Sequence, residues 1–229
     1  MEKISILLSA YNNEDTIDDA VNSILNQNGI NLELLICDDS STDSTLEKLL
    51  NLESTDNRIK IIQNVKNIGL TKSLNKLIAI SKGSLIARQD ADDISLPNRL
   101  QTQVNFLNSN NLDACTTRAI NIQQGSITPN FFYYVPYKLT MKIKNPFIHG
   151  TLMIKKSVLN KLGNYNEKFK YSQDYKLMSD LIESNYKIKI INTPLYKLNT
   201  INNISSNKKK EQEYYAKCIR KKIEPKFYF

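Results

Sequence analysis

Four short apolar runs, each followed by a polar turn and then an amphipathic stretch, limit what the first hundred residues can fold into. Ile4 to Ser9 is apolar nearly throughout, as a strand buried on both faces is. Leu32 to Cys37, Arg58 to Ile62 and Ser84 to Gln89 read as three further strands. Helical patterns separate them. The first puts Ile17, Ala20, Val21, Ile24 and Leu25 on one face and closes at Asn28-Gly29. The second carries Leu46, Leu49 and Leu50, and the third carries Leu70, Leu74, Leu77 and Ile78. This alternation implies an α/β fold, a parallel sheet with right-handed crossovers.

The topology has a consequence for function. Turns that follow parallel strands gather at the carboxyl edge of the sheet, where open α/β folds bind ligands. Three of them are polar: Ala10 to Asp15, Asp38 to Asp43, and Asp90-Ala91-Asp92-Asp93. Three carboxylates in four residues repel one another unless a cation sits among them, and hard divalent ions favour such oxygen donors. A solvated acidic turn that caps the next helix has the same composition, and Asp38-Asp39 followed by Ser-Ser-Thr-Asp also suits helix initiation. Convergence of all three turns on one edge argues for a site.

Beyond Leu96-Pro97 a helix is expected over Asn98 to Leu107, with Pro near its first turn, then a strand over Leu112 to Thr117. Residues 118–148 are irregular and include Phe131-Phe132-Tyr133-Tyr134, which suits loop packing better than a sugar platform. A strand over Thr151 to Ile154, a helix over Lys156 to Leu162 and a helix following Tyr171-Ser172-Gln173-Asp174 come next. Lys187 to Ile191 and Leu195 to Leu198 read as two short strands, and from Asn202 the chain turns basic and polar. Its 229 residues suit one large domain over 1–200 with a basic, aromatic C-terminal extension over 201–229.

Composition narrows the function. A net charge of +8 suggests an anionic partner. Cys37, Cys115 and Cys218 are widely spaced and odd in number, which fits a reducing, cytoplasmic compartment rather than a disulfide framework. The first apolar run is too short for a signal-peptide core, and no stretch of about 18 apolar residues is present to cross a bilayer. The first turn lacks the glycine pattern of dinucleotide folds, and there is no phosphate-binding lysine loop. One histidine, His149, and no Gly-x-Ser-x-Gly disfavour triad hydrolysis. What remains is acidic turns plus a metal. A cation on paired carboxylates can bridge a nucleotide diphosphate and neutralise its charge as it departs, which describes group transfer from an activated nucleotide donor. A sugar nucleotidyltransferase would share the sheet edge but calls for a glycine-rich, basic first loop. A nucleic-acid-binding module is supported by net charge alone, since the positive residues are scattered or terminal.

Five stretches, taken in order, resemble family 2 glycosyltransferases of the GT-A fold. They are Ile6 to Tyr11, Asp38 to Asp43, Asn67-Ile68-Gly69-Leu70, Asp90 to Asp93 and Ser172-Gln173-Asp174-Tyr175, and the likeness covers about residues 3–198. The resemblance implies a Rossmann-like, mostly parallel sheet flanked by helices. It also implies inverting, Mn²⁺- or Mg²⁺-dependent transfer from a nucleotide-diphosphate sugar, with UDP the expected nucleotide. The acceptor would be a glycan or lipid-linked molecule, and no nucleic acid is implied. The similarity is greatest to bacterial enzymes of surface polysaccharide, lipopolysaccharide and capsule synthesis. Residues 1–117 would form the nucleotide-binding part and 118–200 the acceptor side.

Carried over by position, Ala10, Tyr11 and Glu14 would line the nucleoside pocket, and Asp39, with Asp38, would meet the base. Asp90 and Ala91 would approach the ribose or donor sugar, and Asp92 would hold the metal. The role of Asp93 stays open. Arg88 would face the nucleotide or pair with these carboxylates. His149 would stand in the acceptor or metal region or be a packed polar residue. Asp174 would be the general base, and its place at a helix start favours the ionised form. The family usually has Glu-Asp where this chain has Gln173-Asp174, which removes one charge beside the base. Lys208-Lys209-Lys210, Tyr214-Tyr215, Arg220-Lys221-Lys222 and Phe227-Tyr228-Phe229 suggest peripheral contact with an anionic leaflet, at the inner face of the cytoplasmic membrane. A solvated helix with a frayed end is the alternative.

Overall fold

The computed structural model describes residues 2–201 and 208–226. Its first half runs β1 (Lys3–Ala10), α1 (Ile17–Leu25), β2 (Asn31–Asp38), α2 (Thr45–Thr55), β3 (Ile59–Gln63), α3 (Leu70–Ile80) and β4 (Leu85–Asp90). It continues with β5 (Ile94–Ser95), α4 (Arg99–Ser109), β6 (Ala114–Asn121), β7 (Ile127–Thr128) and α5 (Tyr137–Thr140). Then come β8 (Met153–Lys155), α6 (Lys156–Lys161), α7 (Gln173–Glu183), β9 (Ile188–Leu198) and α8 (Lys209–Arg220). One sheet of order β3-β2-β1-β4-β8-β6-β9-β5 unites them, with β7 paired to β6. The four N-terminal strands are mutually parallel, as the alternation implies. Antiparallel β8 joins them to the parallel pair β6–β9.

Two apolar layers explain why β1 lacks strict alternation. Ile4, Ile6 and Leu8 pack with Ile17, Val21 and Ile24 on one face, while Leu7 packs with Leu35, Leu74 and Leu77 on the other. Burying each such side chain stabilises the fold by about 1.5–3 kcal/mol, so the chain is held from both sides and the carboxyl edge stays open.

Several elements differ from expectation. In α2 only Leu49 of the three leucines is fully buried; Leu50 is 50% exposed, because the helix lies beside the edge strand β3. Strand β6 runs on to Asn121, and β9 is one strand rather than two. Its register on β6 shifts between Thr117 and Arg118 and again before Ile120, so the Asn192-Thr193-Pro194 segment is absorbed as an irregularity. The C-terminal extension is not a free tail. Tyr215, Cys218 and Ile219 of α8 pack against Phe169 and Tyr175, and Tyr215 is fully buried, so it cannot serve as a membrane anchor. Phe227 to Phe229 and residues 202–207 lie outside the described residues. Among the described residues no helix is long and apolar enough to cross a membrane. All three cysteines are buried and free, and burial raises the Cys37 and Cys115 thiols to about 11 and about 12.

Candidate active site

The turns at the carboxyl edge are stitched together by their own polar groups. Asn12 N–H donates to Ser41 Oγ at 3.1 Å, and Thr42 N–H donates to Asn12 Oδ1 at 2.8 Å. Glu14 Oε2 accepts from the Ser44 N–H at 3.0 Å and from its hydroxyl, bonds that lower the Glu14 pKa. Asp39 accepts from Asn64 Nδ2 at 2.8 Å, Ile68 N–H at 2.9 Å and Gly69 N–H at 2.8 Å. Gly69 has a positive φ of 87°, which glycine adopts without a Cβ penalty as the loop turns into α3. Asp38 Oδ2 accepts from Ser41 N–H at 3.2 Å, while its buried Oδ1 has no partner among the described residues. Ala10 packs in the core and offers its carbonyl to Asp39 N–H at 2.8 Å. Ala10, Glu14, Asp38 and Asp39 thus tie the turns to one another at the rim and floor of the edge. The reason is physical: each buried loop amide needs an acceptor, and these groups supply it.

A cleft of about 540 Å³ opens beside them. Tyr11, Asp90, Ala91, Asp92, Asp93, His149 and Asp174 all line it, although they come from four separate stretches of chain. Asp90 is held from behind. Fully buried Arg88 donates from Nη2 to Asp90 Oδ1 at 2.5 Å and from Nη1 to the carbonyls of Leu7 and Gln89. Of the two roles open to Arg88, the structure shows the pairing with a carboxylate. Arg99, also buried, donates to the carbonyls of Arg88 and Gly150 and lies 5.3 Å over the Tyr196 ring. A Cβ on Gly150 would stand 2.5 Å from Tyr196 Oη and 2.7 Å from Asp90 Oδ2, so only glycine fits there.

The three carboxylates of the acidic turn sit in unlike environments. Burial and the Asp90 charge push the Asp92 carboxyl up to about 6. Burial, with Asp90 and Asp92 beside it, pushes Asp93 further in the same direction. Asp93 accepts from Asn199 N–H at 2.7 Å and so ties the turn to the end of β9. Asp90 is paired with Arg88, whereas among the described residues neither Asp92 nor Asp93 has a salt-bridge partner; hard oxygen donors crowded at Asp90 and Asp92 fit a divalent ion. Among the described residues no group of three or more His, Cys, Asp or Glu side chains is arranged to hold a metal. An ion at this turn would complete its shell with substrate oxygens and water, as Mg²⁺ commonly does.

His149 Nε2 lies 2.7 Å from the Tyr165 hydroxyl and 3.4 Å from Arg88 Nε, which donates to it. Facing two donors, Nε2 is the unprotonated nitrogen. Burial and the Arg88 charge hold the imidazole well below its usual pKa, so it is neutral and engaged inward. Asp174, at the first turn of α7, accepts from Asn145 Nδ2 at 2.8 Å. Burial raises its pKa despite that bond and the helix amides. The net direction is thus opposite to the one the helix start alone suggests, because desolvation outweighs the dipole. Ser172, just before it, has a positive φ of 55°, a strained setting for a non-glycine residue and one common at functional sites.

Sequence reasoning missed Asn145, Tyr165, Tyr196, Arg99 and Gln212. Gln212 comes from α8 and lines the cleft, where Ser172 Oγ donates to its carbonyl at 3.1 Å. None of these residues stands in a motif; tertiary packing alone brings them here.

The glycosyl transferase family 2 model, "Glycosyl transferase family 2", matches residues 5–163. The chain belongs to this family. It is a glycosyltransferase. It is 34% identical over 215 residues to the Escherichia coli UDP-Glc:alpha-D-GlcNAc-diphosphoundecaprenol beta-1,3-glucosyltransferase WfgD, covering 91% of this chain and 81% of that one. It is also 34% identical over 183 residues to the O-antigen biosynthesis glycosyltransferase WbnJ of the same species, covering 77% and 70%. Among solved structures it superposes on the Pyrobaculum calidifontis mannosyltransferase PcManGT, solved with GDP-Man and Mn²⁺, with a TM-score of 0.77 at 18% identity over 97% of this chain and 65% of that one. S. aureus TarS 1-349 with UDP gives 0.75 at 19% identity, covering 95% and 64%. These likenesses establish the GT-A fold, of which this glycosyltransferase spans about two thirds of each solved chain's length.

Proposed function

We propose that this glycosyltransferase moves a sugar from a UDP-sugar to a hydroxyl of a glycan or lipid-linked acceptor, with inversion, in bacterial surface polysaccharide synthesis. One observation carries the reading: a two-carboxylate turn, Asp90 and Asp92, and a separate carboxylate, Asp174, line one cleft from different elements. That is the arrangement a single displacement needs, with the leaving diphosphate on one wall and the attacking hydroxyl on the other. In this reading residues 1–117 hold the donor and 118–200, joined by α8, hold the acceptor. Tyr11, 47% exposed, offers its ring to the base, backed by the Asp38-Asp39 turn. Asp90, fixed by Arg88, and Ala91 orient the ribose and donor sugar. Asp92, with Asp90, would hold Mn²⁺ or Mg²⁺, which supplies neutralising charge for the diphosphate. Asp174 removes the proton from the acceptor hydroxyl as its oxygen bonds to the anomeric carbon and the bond to the diphosphate breaks. Burial raises its pKa, which makes the carboxylate a stronger base than an exposed one. Asp93 and His149 hold the cleft walls rather than touch the reacting atoms.

The relatives named for diphosphoundecaprenol and O-antigen substrates support the acceptor class, and the complexes with UDP and with GDP-Man and Mn²⁺ support the donor class and metal. The reading has the enzyme work in the cytoplasm, at the inner face of the membrane that holds its acceptor. The test is titration calorimetry with UDP, with and without Mn²⁺, followed by hydrolysis of a nucleotide-sugar panel. Metal-dependent micromolar UDP binding and release of UDP from one sugar donor are expected. Equal affinity with and without metal, or tighter binding of single-stranded oligonucleotides, would overturn it.

A further inference from the structure

The donor cleft does not end at Asp174. On the far side of that carboxylate a second cleft of about 510 Å³ opens, and it shares Ser172, Asp174 and Gln212 with the first. Its walls are the segment 143–145 and the inner face of α8, and Lys144, Lys209 and Arg220 line it. Two carboxylates, Asp174 and Glu213, also face it, so cations are in excess. Arg220 then leads into a third space, a trough of about 600 Å³ floored by Met141, Ile182 and Ile219. Lys138, Lys142 and Lys222 stand around that trough, with Glu183 as the carboxylate among them. The three spaces form one path, joined at Asp174 and at Arg220.

Two of the cations along the path are held in place. Arg220 Nη1 donates to the Ile143 carbonyl at 3.1 Å, and Lys144 Nζ lies 4.0 Å from the centre of the Phe132 ring. A guanidinium with fixed geometry suits phosphate oxygens, and fixing it beforehand lowers the cost of binding. Apolar groups stand exposed nearby: Leu139, Ile143 and Ile223 are each more than half exposed. Cationic and apolar side chains alternate here, as in Lys138-Leu139 and Lys142-Ile143-Lys144. A soluble sugar phosphate would use the cations and leave the trough empty. A phosphate bearing a hydrocarbon tail would use both.

We propose that this path binds a lipid-linked acceptor: its phosphate or diphosphate group between Lys144, Lys209 and Arg220, its hydrocarbon over Met141, Ile182 and Ile219, and its terminal sugar hydroxyl at Asp174. The inference rests on Asp174 being the base of the proposed transfer. It assigns α8, rather than residues beyond it, to the recognition of the acceptor.

The probe is farnesyl diphosphate, titrated below its micelle concentration into the full-length protein, both alone and saturated with UDP and Mn²⁺. Inorganic pyrophosphate and farnesol are the two partial probes. Farnesyl diphosphate should bind tighter than either, and with UDP in place. The double variant Lys144→Glu/Lys209→Glu changes two exposed side chains and should weaken it at least about tenfold with melting temperature unchanged. Pyrophosphate binding as tightly as farnesyl diphosphate would remove the trough from the site. Farnesyl diphosphate affinity unchanged in the double variant, with or without UDP, would overturn the proposal, as would association with anionic vesicles but not with the monomeric probe. Absence of UDP binding tells against the donor reading instead, and the titration without UDP still decides this one.

Discussion

On the side of the cleft proposed for the donor, the turns after β1, β2 and β3 satisfy one another: Asn12 bonds to Ser41 and Thr42, Glu14 to Ser44, and Asp39 to Ile68 and Gly69. On the side proposed for the acceptor the segment 131–145 leaves Phe131, Tyr134 and Ile143 at 69%, 73% and 64% exposure, and Gln212 of α8 closes the wall from 38 residues beyond Asp174 in sequence. The exposure of Phe131 and Tyr134 runs against packing as loop core. The difference teaches where rigidity sits. A diphosphate must be held in one geometry, and the donor wall is cross-linked accordingly. The wall proposed for the acceptor is assembled from surface segments that can vary without disturbing the sheet.

The largest expected effect breaks the acceptor wall at its one chemical group. Asp174→Asn keeps size and accepts fewer protons as a base, so transfer should fall roughly 10²–10⁴-fold. UDP affinity should stay near that of the parent. Melting temperature should hold or rise at neutral pH. Burial raises the folded-state pKa of Asp174, so its ionised form opposes folding as pH climbs through that value, and an amide removes this opposition. Near-normal turnover in this variant would make Asp174 a cap on α7 and place the base elsewhere.

Asp92→Ala breaks the donor wall. Metal-dependent UDP affinity should drop by roughly tenfold or more, with the fold intact, because Asp92 lines the cleft beside Asp90 and its loss relieves the repulsion between the two carboxylates. Calorimetry with and without Mn²⁺ reads this directly; an unchanged metal-dependent affinity would remove Asp92 from the ion site.

Asp39→Ala sharpens the comparison. In the structure both Asp39 oxygens accept hydrogen bonds from the loop 64–69. Leaving buried amides without acceptors costs about 1–3 kcal/mol each, so stability and UDP affinity should fall together. If affinity falls while chemical denaturation midpoints stay put, Asp39 contacts the nucleotide base rather than holding the loop that shapes its pocket.

The two walls were not equally legible in the sequence. A parallel sheet puts every strand-to-helix turn at one edge, so Tyr11, Asp90 and Asp92 could be grouped from their places after apolar runs. Pairing of Arg88 with one of these carboxylates is one of the two roles expected of it; its full burial in the middle of β4 was not legible, since a charged side chain is rarely buried. The same logic could not say that the Glu14 carboxylate would bond to Ser44 and the Ala10 carbonyl to the Asp39 amide, bonds made only when the loops meet. On the acceptor wall, Asn145, Tyr165, Tyr196 and Gln212 meet only after β8, α7, β9 and α8 pack. The basic composition of the extension invited a reading as a tail, whereas Tyr215, Cys218 and Ile219 form an apolar stripe at helical spacing that docks it.

The smallest effect is a shift in pH dependence. Asn145 Nδ2 donates to Asp174 Oδ2 at 2.8 Å, a bond available to the carboxylate and weakened when that oxygen is protonated. It therefore lowers the Asp174 pKa against the larger, upward push of burial. Asn145→Ala removes the bond and leaves the burial, so the pKa should rise. A hydrogen bond to a charged group contributes about 1.5–3 kcal/mol, and water replaces part of it in the variant. The base must be ionised to act. The acid limb of kcat/KM should then move to higher pH while the plateau above it is preserved, so the variant is slower than the parent on the acid limb and close to it on the plateau. A uniform loss at every pH would mean that Asn145 positions the acceptor and does not tune Asp174, and an unmoved profile would mean that a different group sets the acid limb.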